Sequence, residues 1–292
     1  MENLTEYINI NSLLHSLGYV ATAFIIFYLG KIIYKLLNPK INITHELIEK
    51  DNFAFILSYV GYFIGLITIL GGAIVGESAG FYTDLIHIGV YGIAGIILLH
   101  ISILISNKLI LPKFDIKKEI IEDKNEGTGI IEACIYIANA LLLHGALIGE
   151  STSLQEGLLT FISYWTIGNF MLVIAIKIFT LWISFDVHKH IEKDNVAVGV
   201  SFGGAILAIG IIIMNALIDP FIDWTTTLID VSLQTILGII LLPIMRFLTD
   251  KILLPGRKLT DEIINQEKPN IGAGLIEAFA YVGSAILITW SI

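Results

Sequence analysis

Residues 48–75 read IEKDNFAFILSYVGYFIGLITILGGAIV: a short charged break, then 23 residues from Phe53 to Val75 with no charged side chain. A bilayer core about 30 Å thick is crossed by roughly 20 helical residues rising 1.5 Å each, so this run is long enough to span it. Residues 191–218, IEKDNVAVGVSFGGAILAIGIIIMNALI, repeat the break letter for letter and follow it with a second uncharged run. Working outward, apolar windows of similar length fall at 13–37, 84–106, 129–149, 157–183, 226–249 and 271–291. The expected fold is all-α, a polytopic membrane protein with eight transmembrane helices. Its 292 residues, 55% hydrophobic and 15% charged, exclude a pair of soluble domains, and with them a secreted, disordered or nucleic-acid-binding protein.

The basic residues orient the spans. Lys31, Lys35, Lys40 and Lys50 flank the first connection, and Lys108, Lys113, Lys117, Lys118 and Lys124 the third. Lys177, Lys189 and Lys193 flank the fifth, and Arg246, Lys251, Arg257, Lys258 and Lys268 the seventh. All 17 share one side, which the positive-inside bias makes cytoplasmic, with both termini outside. Nine acids lie outside: Glu2, Glu6, Glu77, Asp84, Glu150, Glu156, Asp219, Asp223 and Asp230. The other 17 acids balance the basic residues, so the net charge of −9 belongs to the outer face. That surface concentrates cations within a screening length of about 8 Å, and it equally suits an ordinary solvated face. No basic residue precedes the first apolar run, as a cleaved signal requires, so the first span is expected to persist in the mature chain. The lone Cys134 precludes an intrachain disulfide.

Beyond the pentapeptide IEKDN, His45, Ala54, Ser58 and Gly61 recur as His188, Ala197, Ser201 and Gly204, all 143 residues later. Lys108, Leu111, Pro112, Glu119, Ile120 and Ile121 recur at the same offset as Lys251, Leu254, Pro255, Glu262, Ile263 and Ile264. After a two-residue insertion, Gly127, Gly129, Ile131, Glu132, Ala133 and Tyr136 return 145 residues later as Gly272, Gly274, Ile276, Glu277, Ala278 and Tyr281. Residues 1–150 and 151–292 thus read as two four-helix membrane repeats. Because four is even, both enter the membrane in the same sense, and a pseudo-twofold axis along the membrane normal is expected to relate them.

IEKDN with a following alanine, a small-residue-rich span, and Gly-x-Gly-x-Ile-Glu-Ala opening the fourth span together resemble the bacterial inner-membrane family called domain of unknown function 350, whose small members are the YjfL-like proteins. The resemblance covers both halves. It implies a bacterial cytoplasmic membrane location, and that a single-copy relative pairs as a dimer equivalent to this fusion. It implies no particular activity. Asn215 stands where the first copy has Gly72, so the halves need not be functionally equal.

Ala54, Ser58, Gly61, Gly65, Thr68 and Gly72 follow a 4-3-4-3-4 spacing, one stripe of a helix, with Ala197, Ser201, Gly204, Ala208, Ile211 and Asn215 as counterparts. Lipid gives helices no hydrophobic incentive to associate, so small residues that let backbones approach are expected packing seams. A second stripe is Gly129, Ala133, Tyr136 and Ala140, repeated as Gly274, Ala278, Tyr281 and Ala285. Beside it runs a polar stripe, Glu132, Tyr136 and Asn139, matched by Glu277, Tyr281 and Ser284. An ionisable residue at membrane depth marks a candidate cation or proton site; a carboxylate near a helix N-terminus is also what the macrodipole favours.

Farther out, Asp84, His87 and Tyr91 share a helical stripe, with Thr227, Asp230 and Gln234 in the second copy; these are candidate lining of an outer entrance. His15 and His144 fall at similar depth, but no ligand-spacing motif supports a metal, and none is expected; nor is any other cofactor. Asp51 and Asp194 precede spans two and six as expected helix caps, with Asn52 and Asn195 extending the cap or lining an inner mouth. Paired isoleucines among charges in 116–126 and 259–267 suit short helices lying on the membrane or docking a soluble partner.

No Walker loop, His-Glu-x-x-His, Gly-x-Ser-x-Gly or dinucleotide fingerprint occurs, and the short connections cannot fold as catalytic domains. An enzyme would have to work from groups within or at the edge of the membrane, a third reading behind the two that follow, and none is expected. Two functions remain. One is a transporter or channel for an inorganic cation, a proton or a small cationic solute, running from Asp84 and Asp230 to Glu132 and Glu277. The other is a non-transporting scaffold or stress sensor that recruits a soluble cytoplasmic protein. Either is compatible with a homo-oligomer.

Overall fold

The computed structural model describes residues 10–76, 78–112, 115–148, 153–219, 221, 223–253 and 256–292. Glu2, Glu6, Glu77, Lys113, Glu150, Leu254, Pro255 and the expected boundary between residues 150 and 151 lie outside them. In chain order the helices are α1 (Ile10–Leu37), a π-helical turn (His45–Glu49), α2 (Phe53–Val75), α3 (Phe81–Leu109), α4 (Ile116–Ile121) and α5 (Glu126–Leu147). The second half repeats the order as α6 (Leu154–Trp182), α7 (Val187–Glu192), α8 (Val196–Ile218), α9 (Trp224–Leu253), α10 (Leu259–Ile264) and α11 (Ile271–Ser291). Eight of these are long and apolar enough to cross a membrane. α2, α8 and α11 have the bounds read from the sequence, and no other end differs by more than four residues.

Four of the spans start the same way. Asn52, Asn125, Asn195 and Asn270 precede α2, α5, α8 and α11, and each side-chain oxygen accepts the backbone N–H three residues on. That satisfies one of the donors a helix start leaves orphaned. The capping oxygens of α2 and α8 therefore belong to Asn52 and Asn195, not to Asp51 and Asp194 as expected. Asp51, Lys124 and Asp194 instead hold the left-handed backbone, φ 46°, 51° and 55°, that turns the chain into the cap. Asp194 also reaches across, accepting the N–H of Glu126 at 3.0 Å on α5.

The smallest unit of the fold is thus a hairpin, half a copy: an outer span, a short helix or π-turn, a capping Asn and an inner span, four times over. The inner spans pack in the order α2, α5, α8, α11. Glycine sets each seam. Between α2 and α5, a Cβ on Gly61 would strike the Ala133 backbone and one on Gly129 the Ala54 carbonyl; Gly65 faces Ala140 and Gly72 faces His144. Between α8 and α11, a Cβ on Gly204 would lie 2.5 Å from Ala278 Cα, and one on Gly274 2.5 Å from the Ala197 carbonyl. The two stripes of small residues meet each other in both copies, as lipid-embedded helix packing demands. Along each seam the contacts advance together, so neighbouring inner spans are parallel.

A third seam joins the copies. A Cβ on Gly199 would lie 2.6 Å from Gly127 Cα, one on Gly203 2.7 Å from Cys134 Sγ, and one on Gly210 2.9 Å from Ala138 Cβ. A pseudo-twofold would reproduce this α5–α8 seam between α11 and α2. Among the described residues those two make no comparable contact, so the inner spans form an open row, without the seam that the expected pseudo-twofold axis would add. The sequence matches the row: where α8 has Gly199, Gly203 and Gly210, α2 has Ile56, Val60 and Ile67, and where α5 has Cys134 and Gly145, α11 has Phe279 and Trp290. Val60, Ile67, Phe279 and Trp290 are exposed, as lipid-facing residues are. The outer spans α1, α3, α6 and α9 flank the row, and α1 leans on α3 more than on α2.

Candidate functional site

The short helices form a ledge at the Asn-capped ends of the inner spans. Ile116 and Ile120 of α4, Val187 and Ile191 of α7, and Leu259 and Ile263 of α10 are buried against the bundle. The paired isoleucines of α4 and α10 thus face protein more than lipid, which corrects the expectation of helices lying on the membrane. The capping asparagines clamp the ledge with their amide protons: Asn52 donates to the Ile120 carbonyl at 2.9 Å, Asn125 to Ile191 at 2.7 Å, and Asn195 to Ile263 at 3.0 Å. α2, α5 and α8 thereby each hold the ledge helix of the next hairpin. Asn52 also donates to Glu46 at 2.9 Å, and Asn125 to Glu119 at 3.0 Å. Burial alone would push the Glu46 carboxyl up, but the hydrogen bonds from Lys50, at 2.7 Å, and Asn52 outweigh it and hold the group below the usual carboxylate range. At Glu119 burial prevails and the carboxyl is raised.

Glu132 lies six residues into α5, roughly 9 Å from its start. Ser58, on the seam of α2, donates to it at 2.5 Å, and Asn107 of α3 donates at 3.5 Å. The Oδ1 of Asn107 is buried without a partner among the described residues. Tyr34, Tyr59, Tyr62 and Tyr136 cluster nearby, with successive ring centroids 4.9–5.5 Å apart. Asn139 turns away to Ser106 of α3, at 3.2 Å.

Glu277 is solved differently. Arg246 of α9 donates Nε to its carboxylate and a second guanidinium N–H to Thr260 on α10, at 2.8 Å; Tyr281 OH donates to the same carboxylate at 2.9 Å. A cavity of about 200 Å³ beside this pair is lined by Ser201, Phe202, Pro243 and Tyr281 among others. Ser284 bonds back to the Ala280 carbonyl in its own helix. Arg246, Asn107 and Thr260 were not legible as partners; the one signal was that Arg246 falls inside the apolar window 226–249.

The outer residues do not join these carboxylates. Asp84 accepts from Tyr19 at 2.7 Å, Ser78 at 2.6 Å and the Ala79 N–H at 2.8 Å, which pins α1 and the loop before α3. His87 packs edge-on to Tyr91, His15 stacks on Phe81, and His144 bonds the Thr68 carbonyl. Gln234 bridges Asn215 and Asp219, while Asp230 is half-buried one turn away. Among the described residues no three His, Cys, Asp or Glu side chains group as a metal site.

Fold and site define a multi-pass membrane protein made of tandem halves, with a carboxylate-centred polar cluster in each. The chain belongs to the family Domain of Unknown Function (DUF350), whose model matches residues 7–147 and again 153–292. It is similar to a UPF0719 transmembrane protein of Aquifex aeolicus (strain VF5), at 23% identity over 250 residues, 84% of this chain and 88% of that relative. No solved structure matches the chain.

Proposed function

We propose that this protein is a non-transporting scaffold of the bacterial cytoplasmic membrane, with both termini outside and the ledge as its cytoplasmic working surface. The observation that carries this reading is the asparagine ladder, which locks each ledge helix to the inner span of the preceding hairpin. Seams with backbone against backbone keep those spans in fixed register. Lys117, Lys118, Lys189 and Lys193 are exposed on the ledge beside the exposed acids Glu122, Asp123, Asp186 and Glu192, a surface of mixed charge for a soluble partner. The Glu277 carboxylate is committed to Arg246 and Tyr281 rather than to a passing ion.

A second reading, a cation- or proton-linked transporter or channel, is favoured by Glu132, which has no cationic partner within ion-pair distance among the described residues and sits beside the unpaired Oδ1 of Asn107. One set of measurements separates the two. In proteoliposomes carrying an internal pH dye or a potassium reporter, a scaffold leaks no faster than protein-free vesicles, and amides of α4 and α10 exchange as slowly as those of the inner spans. Flux that disappears in an E132Q/E277Q variant, or a ledge that exchanges freely, overturns the scaffold.

A further inference from the structure

One concavity lies away from both carboxylates. A groove of about 800 Å³ opens between α1, the segment 39–48 and α2. Its ledge end carries Lys31, Lys35 and Lys40, and its wall is Phe27, Tyr59 and Phe63; no Asp or Glu lines it. The lysines are exposed and enter no ion pair among the described residues, whereas the nearby acids are taken: Glu46 by Lys50 and Glu49 by His45. The groove exists because α1 leans on α3 and leaves a gap towards α2. In the second copy a cavity of about 200 Å³ lies among α6, the segment 183–187, α8, α9 and α11, and its lining cation, Arg246, is bound to Glu277.

An occupant must place a negative group at the membrane surface and an apolar body against aromatic side chains inside two spans. A soluble anion fits only the first demand and a neutral lipid only the second. Basic clefts between helices at this level suit lipid headgroups, and lysine stems reach up to the interface to meet them. We infer that this groove binds an anionic phospholipid of the leaflet facing the ledge, with its phosphate on Lys31, Lys35 and Lys40 and an acyl chain along Phe27 and Phe63.

The test is native mass spectrometry of the full chain released from nanodiscs of equal phosphatidylglycerol and phosphatidylcholine. The intact protein is expected to retain phosphatidylglycerol selectively. In K31Q/K35Q/K40Q that retention should fall roughly tenfold or more, while K31R/K35R/K40R preserves it and K117Q/K118Q/K193Q leaves it unchanged. A dihexanoyl phosphatidylglycerol should compete poorly. Equal retention of the two lipids, an equal loss in the ledge variant, or displacement by millimolar inorganic phosphate overturns the proposal. The arginine variant and the wild-type lipid comparison decide even if the glutamine variant fails to fold.

Discussion

Asn125 of the first copy donates its side-chain amide to the Ile191 carbonyl of the second, 2.7 Å away and fully buried. The same side chain caps α5 through the Thr128 N–H at 2.9 Å and donates to Glu119 at 3.0 Å. Replacement by alanine removes a cap, about 1 kcal/mol, and strands a buried carbonyl, about 1–3 kcal/mol more. N125A should lower the thermal midpoint in detergent clearly, with N125S, which can still cap, in between. A midpoint equal to wild type in N125A would show that the ladder does not hold the copies together.

Glu46 ties stability to pH. Its folded carboxyl is held below the ordinary range, so the stabilisation is present above the unfolded value, about 4.3, and is lost as pH falls through the folded one. E46Q should be less stable than wild type at neutral pH, and the gap should close as the medium is acidified below about pH 4. Parallel unfolding curves for the two proteins from neutral to acid pH would contradict this.

Arg246 and Glu277 form a pair in which the carboxylate is buried. Removing one partner leaves an uncompensated charge, so R246M should cost about 3–5 kcal/mol, whereas R246M/E277M should regain most of it. A double-mutant cycle on thermal unfolding reads the coupling directly; additive losses would mean that the pair is not coupled.

Gly199 faces backbone, whereas Val60, the α2 counterpart of Gly203 on the same seam, faces outward. G199L forces α8 away from α5 and should cost at least the roughly 1–3 kcal/mol of an overpacked core, with loss of a single species on size exclusion. V60L should be tolerated. Equal tolerance at both positions would deny that the seam between copies is tight.

Orientation is open to thiol labelling. With Cys134, the sole native thiol and buried, replaced by serine, cysteines introduced as K117C and K258C should both react with an impermeant maleimide from the cytoplasmic side. Labelling from opposite sides would break the two-copy topology.

The spans were legible because each inner one is a long apolar run behind a polar break, and the duplication because IEKDN recurs unchanged and the matches beyond it keep an offset of 143 and then 145. The hairpin unit inside each copy was harder to see. Its mark is an Asn before α2, α5, α8 and α11, spaced 73, 70 and 75 residues apart, but the flanking residues differ between the two hairpins of a copy. Asp51 and Asp194 looked like caps because chemistry permits it; the left-handed turn at those residues moves the task one position on. The α5–α8 seam was hidden because its glycines are split between copies. Arg246 was sorted with loop charges, and only the packing of α9 against α11 and α10 gives it Glu277 and Thr260. The groove beneath Lys31 depends on the lean of α1, which no local pattern encodes.

The bulky residues Ile56, Val60, Ile67, Phe279 and Trp290 at the two flanks of the open row have an evolutionary consequence. A protein made of one half must offer the same two edges both to a sister molecule and to the hydrocarbon around it, a compromise at every position. Covalent fusion removes that conflict: one edge of each half can sharpen for its fixed neighbour while the opposite edge is filled out against lipid. In this chain the seam between the halves is lined by glycine, while the margins of the row carry bulky apolar side chains.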